Sequence, residues 1–347
     1  MPETSISELI RSWDGEYVVS RYDRAALAWI FIAVHSTRLG PPLGGTRMKV
    51  YDRPEQGLRD AQRLAEGMTY KWAGIDFPLG GGKAVIALSR PLEDAERDAL
   101  LERYGELVEK LNGSFSTGAD LGVGPELVAL IGRKTRYTLG HSAGDPGPFT
   151  SLGVLSGCRA VAAALFGSRD LTGRTVLIQG IGDVGVPLAR RLAEVGAKLR
   201  LADIDQTRAE GLAVEVGATV VAADDVYGAP CDIFAPCAVG GVLNAKTIPQ
   251  LACKAVCGAA NNQLEAAEDA ERLHARGILY APDFIANAGG AIGLPGLELM
   301  GMSEAEILTR IESIEQTLRD IFQEARANNE SPHHAAQRLT KRVLERG

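Results

Sequence analysis

The chain has 347 residues, which at roughly 100–200 residues per domain favours two domains over one. Hydrophobic residues make up 46% and charged residues 23%, so disordered, collagen-like and coiled-coil classes are excluded for the bulk of the chain. Lys and Arg number 37 against 44 Asp and Glu, a net charge of −7, and with no basic run there is no electrostatic footprint for nucleic acid.

In chain order, the N-terminal stretch lacks a basic segment followed by an apolar one, so it does not read as a secretory signal. The longest apolar run, Ala25–Val34, is half of the roughly 20 residues that span a bilayer, so no membrane segment is expected. Leu27–Val34 and Ala84–Leu88 read as strands, and Pro54–Lys71 and Glu93–Leu111 as helices. The Gly/Pro-rich stretch 140–148 reads as a hinge, after which Thr150 or Ser151 can cap a helix running to about Phe166. The rhythm then changes to short apolar runs at Thr175–Gln179, Lys198–Asp203, Asp232–Ala235, Ala255–Gly258 and Ile278–Ala281, with helical or turn segments between them. That alternation predicts a parallel sheet covered on both faces, a doubly wound α/β domain over about residues 146–300. Beyond it, Ile307, Leu308, Ile311, Ile314, Leu318, Ile321 and Phe322 recur at helical spacing, with Ser303 and Glu306 as a capping box, and a last helix follows Ser331-Pro332. The predicted first domain is 1–145, with about 301–347 crossing back to it. Five cysteines, an odd number in apolar contexts, read as reduced thiols of a cytoplasmic protein. Cys253 and Cys257 lack a second metal-spaced pair, so no metal site is expected.

Gly180-Ile181-Gly182-Asp183-Val184-Gly185 matches G-x-G-x-x-G after a strand and at the opening of a helix, and Asp203 closes the next strand 18 residues after Gly185. A bare glycine turn is the competing reading of the motif alone; the context makes it a dinucleotide fingerprint, with the helix N-terminus facing the pyrophosphate. Asp203 is placed to accept from the adenosine ribose and its charge repels a 2′-phosphate, which favours NAD. Arg200 and Arg208, close in sequence, keep NADP open.

Two lysines stand out: Met68-Thr69-Tyr70-Lys71 and, twelve residues on, Gly80-Gly81-Gly82-Lys83. A Walker A loop fails because Ala84 follows the lysine where Ser or Thr is required. A lysine is ordinarily a solvated surface charge. Lys83, between three glycines and an apolar strand, can instead be a desolvated base of depressed pKa beside Lys71. Asp120, in a glycine-flanked loop, reads either as an Asx-turn or as a carboxylate that exchanges protons with an amine.

Together these residues resemble the glutamate/leucine/phenylalanine/valine dehydrogenase family. Pro42-Leu43-Gly44-Gly45-Thr46-Arg47, the motifs ending at Lys71 and Lys83, and Asp120 are similar to its catalytic half. Phe234–Ala238, Ala259–Asn262 and Ala286–Gly290 are similar to its cofactor half, in order and over nearly the whole chain. The resemblance implies a catalytic and oligomerisation α/β domain and a Rossmann domain separated by a cleft, assembled as at least a dimer. It also implies reversible NAD-linked oxidative deamination of an L-amino acid to its 2-oxo acid and ammonia. Lys71 would hold the substrate carboxylate, Lys83 would activate the water that attacks the imine, and Asp120 would shuttle protons. Gly44 and Asn262 would position the substrate; Thr150, Ala238, Asn262 and Asn287 would join the glycine loop at the cofactor. The family's Val-Gly-Thr after the aspartate is here Leu121-Gly122-Val123-Gly124, so the loop shape behind Asp120 is open. Leu43 stands where glutamate enzymes carry a lysine, which disfavours glutamate. Ala286–Leu294 and Ile278–Phe284 are similar to phenylalanine dehydrogenases, and Ala291, with Leu294 one turn on, is smaller than the valine typical of leucine enzymes. Leu39–Arg47, by contrast, is nearer to the aliphatic enzymes; the expectation leans to phenylalanine, with leucine or valine as the alternative. A non-catalytic NAD sensor would lack Lys71, Lys83 or Asp120, and none is lacking. A hydroxy-acid dehydrogenase would need a histidine; of the five, only His141 falls near the expected cleft.

Overall fold

The computed structural model describes residues 5–140 and 144–346, and these divide into two units. The chain up to Gly144, with the segment from Lys341, forms the first; Asp145–Thr340 forms the second.

In the first unit, α1 (Ile6–Ser12) begins with a capping box of Ser5 and Glu8. β1 (Tyr17–Asp23), β2 (Ala28–Ser36), β3 (Pro42–Val50), α2 (Pro54–Gly74), β4 (Gly80–Leu88), α3 (Asp94–Lys110), β5 (Ser116–Gly118) and α4 (Pro125–Gly132) follow. The sheet order is β1-β2-β4-β3-β5, antiparallel from β1 to β4 and parallel from β4 to β5. Strand alternation divides the core. Phe31, Ala33, Val85 and Ala87 face Leu58, Ala61 and Ala65 of α2. Ile30, Ile32, Ala84 and Ile86 face Leu100, Leu101 and Tyr104 of α3. Central β4 is therefore buried at every position, which is why it reads as an unbroken apolar run. Each fully buried Ile contributes roughly 1.5–3 kcal/mol.

The second unit opens with α5 (Gly147–Phe166). It starts three residues before Thr150, because Pro148 in its first turn has no N–H to leave unpaired. Thr150 and Ser151 thus lie inside the helix rather than capping it, their hydroxyls donating to the Pro146 and Pro148 carbonyls. α5 is long and apolar enough to cross a membrane by length and composition, but much of it is buried within the unit as a core helix. Next come β6 (Thr175–Gln179), α6 (Gly185–Glu194), β7 (Lys198–Ala202), α7 (Gln206–Val216), β8 (Thr219–Val220), β9 (Ile233–Pro236), β10 (Ala255–Val256), α8 (Glu268–Ala275), β11 (Leu279–Tyr280), α9 (Asp283–Ala286) and α10 (Gly289–Glu298). The sheet is wholly parallel in the order β11-β10-β9-β6-β7-β8, so the winding reverses between β6 and β9. In such sheets ligands bind at the carboxyl ends of the strands flanking the reversal.

The C-terminal stripe is shared by two helices, α11 (Glu304–Glu312) and α12 (Ile314–Asn328), split at Ser313, with the Ser303–Glu306 capping box in place. Its residues Ile314 and Leu318 pack on Gly153 and Gly157 of α5. This stripe therefore belongs to the second unit, and of the segment expected to return to the first, only the end of α13 (Pro332–Arg346), from Lys341 on, is counted there.

Candidate active site

In the first unit the glycine run is strand, not loop. A side chain at Gly81 would lie 1.9 Å from the Thr69 hydroxyl on α2, and one at Gly82 would lie 2.8 Å from the Phe115 ring, so the glycines let β4 pass between two layers. That clearance delivers Lys83, 5% exposed, to the carboxylate at the end of β5. Lys83 Nζ donates to Asp120 Oδ2 at 2.5 Å, and Arg47 Nε donates to Asp120 Oδ1 at 2.8 Å. Arg47 Nη1 reaches Asp60 on α2 at 3.0 Å, and the Tyr51 hydroxyl donates to the same Asp60 oxygen at 2.7 Å. The loop behind Asp120 is closed by reciprocal backbone bonds between Asp120 and Val123, and the Leu121 N–H donates to Asp120 Oδ1 at 2.7 Å.

Burial alone would raise the Asp120 carboxyl; the adjacent Lys83 ammonium and Arg47 guanidinium outweigh it and hold the pKa at about 2. Burial lowers Lys83 below the ordinary lysine range, Asp120 pulls it back up, and Arg47 pushes it further down. Asp120 is thus ionised at neutral pH and the exchangeable proton resides on Lys83. Arg47 is the residue that sequence reasoning passed over as a member of its motif. Its signal is a cation at an inward position of a strand two-thirds apolar or glycine.

Lys71 lies in the last turn of α2, half-buried. Its neighbour Trp72 donates from the indole N–H to the Leu43 carbonyl at 3.3 Å, which fixes that end of the helix over β3. Leu43 and Gly44 are buried on β3, and a side chain at Gly44 would collide with the Gly82 carbonyl.

In the second unit Gly180 follows β6 at φ +95°, and a Cβ there would meet Ala238 at 2.7 Å. A Cβ on Gly185 would lie 2.0 Å from the Gly180 carbonyl, whereas one on Gly182 would meet nothing within 4 Å. Two glycines therefore serve the fold and the middle one borders open space. Asp183 and Val184 lead into α6; the Val186 N–H there donates to Gly182 O at 3.1 Å and Pro187 has none, so what this end offers an anion is chiefly the helix dipole. Asp203, just beyond β7, accepts from Ile181 N at 2.6 Å and from Asp205 N at 2.8 Å, which ties the turn to the strand end. Arg208 pairs with Asp205 at 3.6 Å.

Asn287, at the end of α9, is 5% exposed. Its Nδ2 donates to Ala259 O at 3.1 Å and to Asn261 Oδ1 at 2.8 Å, while its Oδ1 is buried without a hydrogen-bond partner. A buried acceptor left open is a site for a ligand N–H. Asn262 is left-handed at φ +52° in the same turn. Thr150 abuts Gly290, where a Cβ would sit 2.6 Å from its hydroxyl. Ala291 and Leu294 lie one turn apart on α10, both half-buried. His141 lies outside the described residues, as does part of the stretch read as a hinge.

The sequence matches two family models: one described as Glu/Leu/Phe/Val dehydrogenase, dimerisation domain, over residues 20–137, and one described as Glutamate/Leucine/Phenylalanine/Valine dehydrogenase over residues 199–344. It is 40% identical to the leucine dehydrogenase of Geobacillus stearothermophilus over 341 residues, 97% of this chain and 92% of that one. It is 41% identical to the L-tryptophan dehydrogenase of Nostoc punctiforme over 337 residues, 96% of this chain and 94% of the relative. The crystal structure of L-tryptophan dehydrogenase from that organism superposes with a TM-score of 0.86 at 39% identity, covering 98% of this chain and 99% of that one. The phenylalanine dehydrogenase of Lysinibacillus sphaericus is 40% identical over 343 residues, 95% of this chain and 88% of the relative.

Proposed function

This chain belongs to the glutamate/leucine/phenylalanine/valine dehydrogenase family, and on that premise we propose that it deaminates a hydrophobic L-amino acid with NAD, phenylalanine first among substrates. It is an amino acid dehydrogenase, and its relatives act on leucine, tryptophan and phenylalanine. Their identities fall within a few per cent of each other, so likeness does not rank phenylalanine over leucine. The ranking rests on Ala291 and Leu294, whose small and aliphatic side chains share one half-buried face of α10.

The observation that carries the reading is the Lys83–Asp120 pair, a buried lysine on a half-buried carboxylate, adjusted by Arg47. Lys71 binds the substrate α-carboxylate. Lys83, neutral once its proton has left, takes a proton from the water that adds to the substrate imine. Asp120, ionised, accepts from the substrate ammonium and orients the amine. Leu43 presents no charge to a side-chain carboxylate, which disfavours glutamate on the cost of an unpaired buried anion. The second unit fits a dinucleotide through the open position at Gly182, the α6 terminus, and the unpartnered Oδ1 of Asn287. Ala238 beside Gly180, Asn262 next to the Asn261 that Asn287 donates to, and Thr150 beside Gly290 would complete the cofactor contacts. The bound dinucleotide supplies the two-electron oxidant. Self-association, as a dimer or larger, is proposed for the first unit, where the dimerisation-domain model matches.

The test is a panel of initial rates with NAD and L-phenylalanine, leucine, valine, tryptophan and glutamate. Phenylalanine is expected to give the highest kcat/KM and glutamate the lowest. Leucine in first place would overturn the substrate ranking, and glutamate in first place would overturn the role of Leu43.

Two variants examine named residues. Asp203→Ser is expected to narrow the preference for NAD over NADP by roughly tenfold, since a charge is removed from beside the ribose position. An unchanged ratio of kcat/KM values would take Asp203 out of cofactor discrimination. Arg47→Gln removes the cation that lowers both members of the pair. Lys83 then holds its proton to higher pH, and the rising limb of kcat against pH moves up by about one unit. A limb that stays in place would show that Arg47 does not govern the pair.

A further inference from the structure

Two of the five cysteines occupy matched places at the entrances to adjacent strands. The β9–β10 register sets Ile233 against Ala255, so Cys231 and Cys253, each two residues upstream, face one another across the same parallel pair. Backbone bonds carry the pairing past the strand ends: Cys231 N–H donates to Ala252 O at 3.1 Å and Lys254 N–H donates to Asp232 O at 3.1 Å. Adjacent strands run about 4.8 Å apart, inside the roughly 4.4–6.8 Å Cα separation that a disulfide accepts. Both thiols are half-buried and interact with each other. A second thiol pair, Cys158 and Cys257, is fully buried between α5 and β10 and out of reach of an aqueous reagent. Cys231 and Cys253 lie at the strand ends opposite the Gly180 turn, so nothing in the dehydrogenase reading uses them; Cys237, the fifth and also half-buried, lies at the other end of β9 beside that turn.

We propose that Cys231 and Cys253 are a redox modification site that closes to a disulfide when the protein meets a peroxide. The surroundings separate the two roles. The neighbouring Cys231 thiol and the Arg276 guanidinium lower Cys253 against the effect of burial. The same interaction, with burial, raises Cys231. Arg276 is held in place by the carbonyls of Ile248 and Leu251. Arg200 faces Cys231, and Asp232, also beside the pair, is engaged by Lys254 at 2.8 Å. Cys253 is therefore the attacking thiolate. Its sulfur takes one oxygen of the peroxide, the O–O bond breaks, and the other oxygen leaves as water with the thiol proton. Cys231 sulfur then attacks Cys253 sulfur, the S–O bond breaks, and hydroxide leaves as a second water with the Cys231 proton. Two thiols lose two electrons and one hydrogen peroxide gains them.

The experiment treats the reduced, desalted full-length protein with one equivalent of hydrogen peroxide, followed by intact mass, alkylation and peptide mapping. The expected result is a loss of about 2 Da per chain. It should come with a linked Cys231–Cys253 peptide, Cys158 and Cys257 alkylated only after denaturation, and full reversal by dithiothreitol. In Cys231→Ser the reaction should stop at a sulfenic acid on Cys253 that a dimedone probe captures. A wild-type protein that keeps all its thiols, links other cysteines, or is oxidised at Cys231 alone would overturn the proposal. So would Cys253→Ser that loses the Cys231 thiol as fast as wild type.

Discussion

Lys83→Ala is expected to lower kcat for amino acid oxidation by about 10²–10⁴-fold, the range contributed by a positioned general base. NADH binding, followed by fluorescence titration, should be unchanged, because the lysine belongs to the first unit and the glycine turn, Asp203 and Asn287 to the second. The fold should survive as well. Removing the amine leaves Asp120 with Arg47 at 2.8 Å and the Leu121 N–H at 2.7 Å, so the carboxylate keeps compensating partners. The variant thus separates chemistry from folding, which a larger disturbance of the strand would not. A kcat within a few-fold of wild type, with the fold intact, would remove Lys83 from the base role.

The parts legible in sequence are those where local pattern and chemistry coincide. The glycine turn is readable because a strand, three glycines at fixed spacing and a strand-terminal aspartate lie within one short segment. The stripe from Ile307 to Phe322 is readable because helical periodicity persists through the break at Ser313. What it packs against is not written in the stripe itself: the small residues that receive it, Gly153 and Gly157, lie far away on α5. The same holds at the candidate site. Lys83 and Asp120 each read as bland or functional alone, and only the β3–β4–β5 pairing makes them partners. Arg47 is harder still, because its importance lies in the two carboxylates it bridges, one 13 residues ahead and one 73. The expected neighbour of Lys83 was another lysine; the pairing supplies an aspartate and an arginine instead. The depressed lysine follows from burial and Arg47.

Asp120→Asn tests that electrostatic account from the other side, because it moves the pH profile opposite to Arg47→Gln. Asp120 is the charge that raises the Lys83 pKa against burial and Arg47. An uncharged amide there lets Lys83 fall further, so the rising limb of kcat against pH shifts to lower pH. The maximal rate itself should drop by about 10²-fold or more, since the carboxylate that receives the amine proton is gone. Stability separates this variant from Lys83→Ala. Here the group left behind is a lysine 5% exposed with its counter-ion removed, and breaking a buried pair in this way costs about 3–5 kcal/mol unless the lysine sheds its proton. The loss should therefore be largest below the new Lys83 pKa and recover as pH rises through it, because only the charged ammonium is penalised. Thermal unfolding midpoints across pH, read beside the kinetic profile, measure both. A midpoint penalty that does not vary with pH, together with an unmoved kinetic limb, would mean that the two side chains touch without sharing a proton equilibrium. The base would then have to be sought away from Lys83.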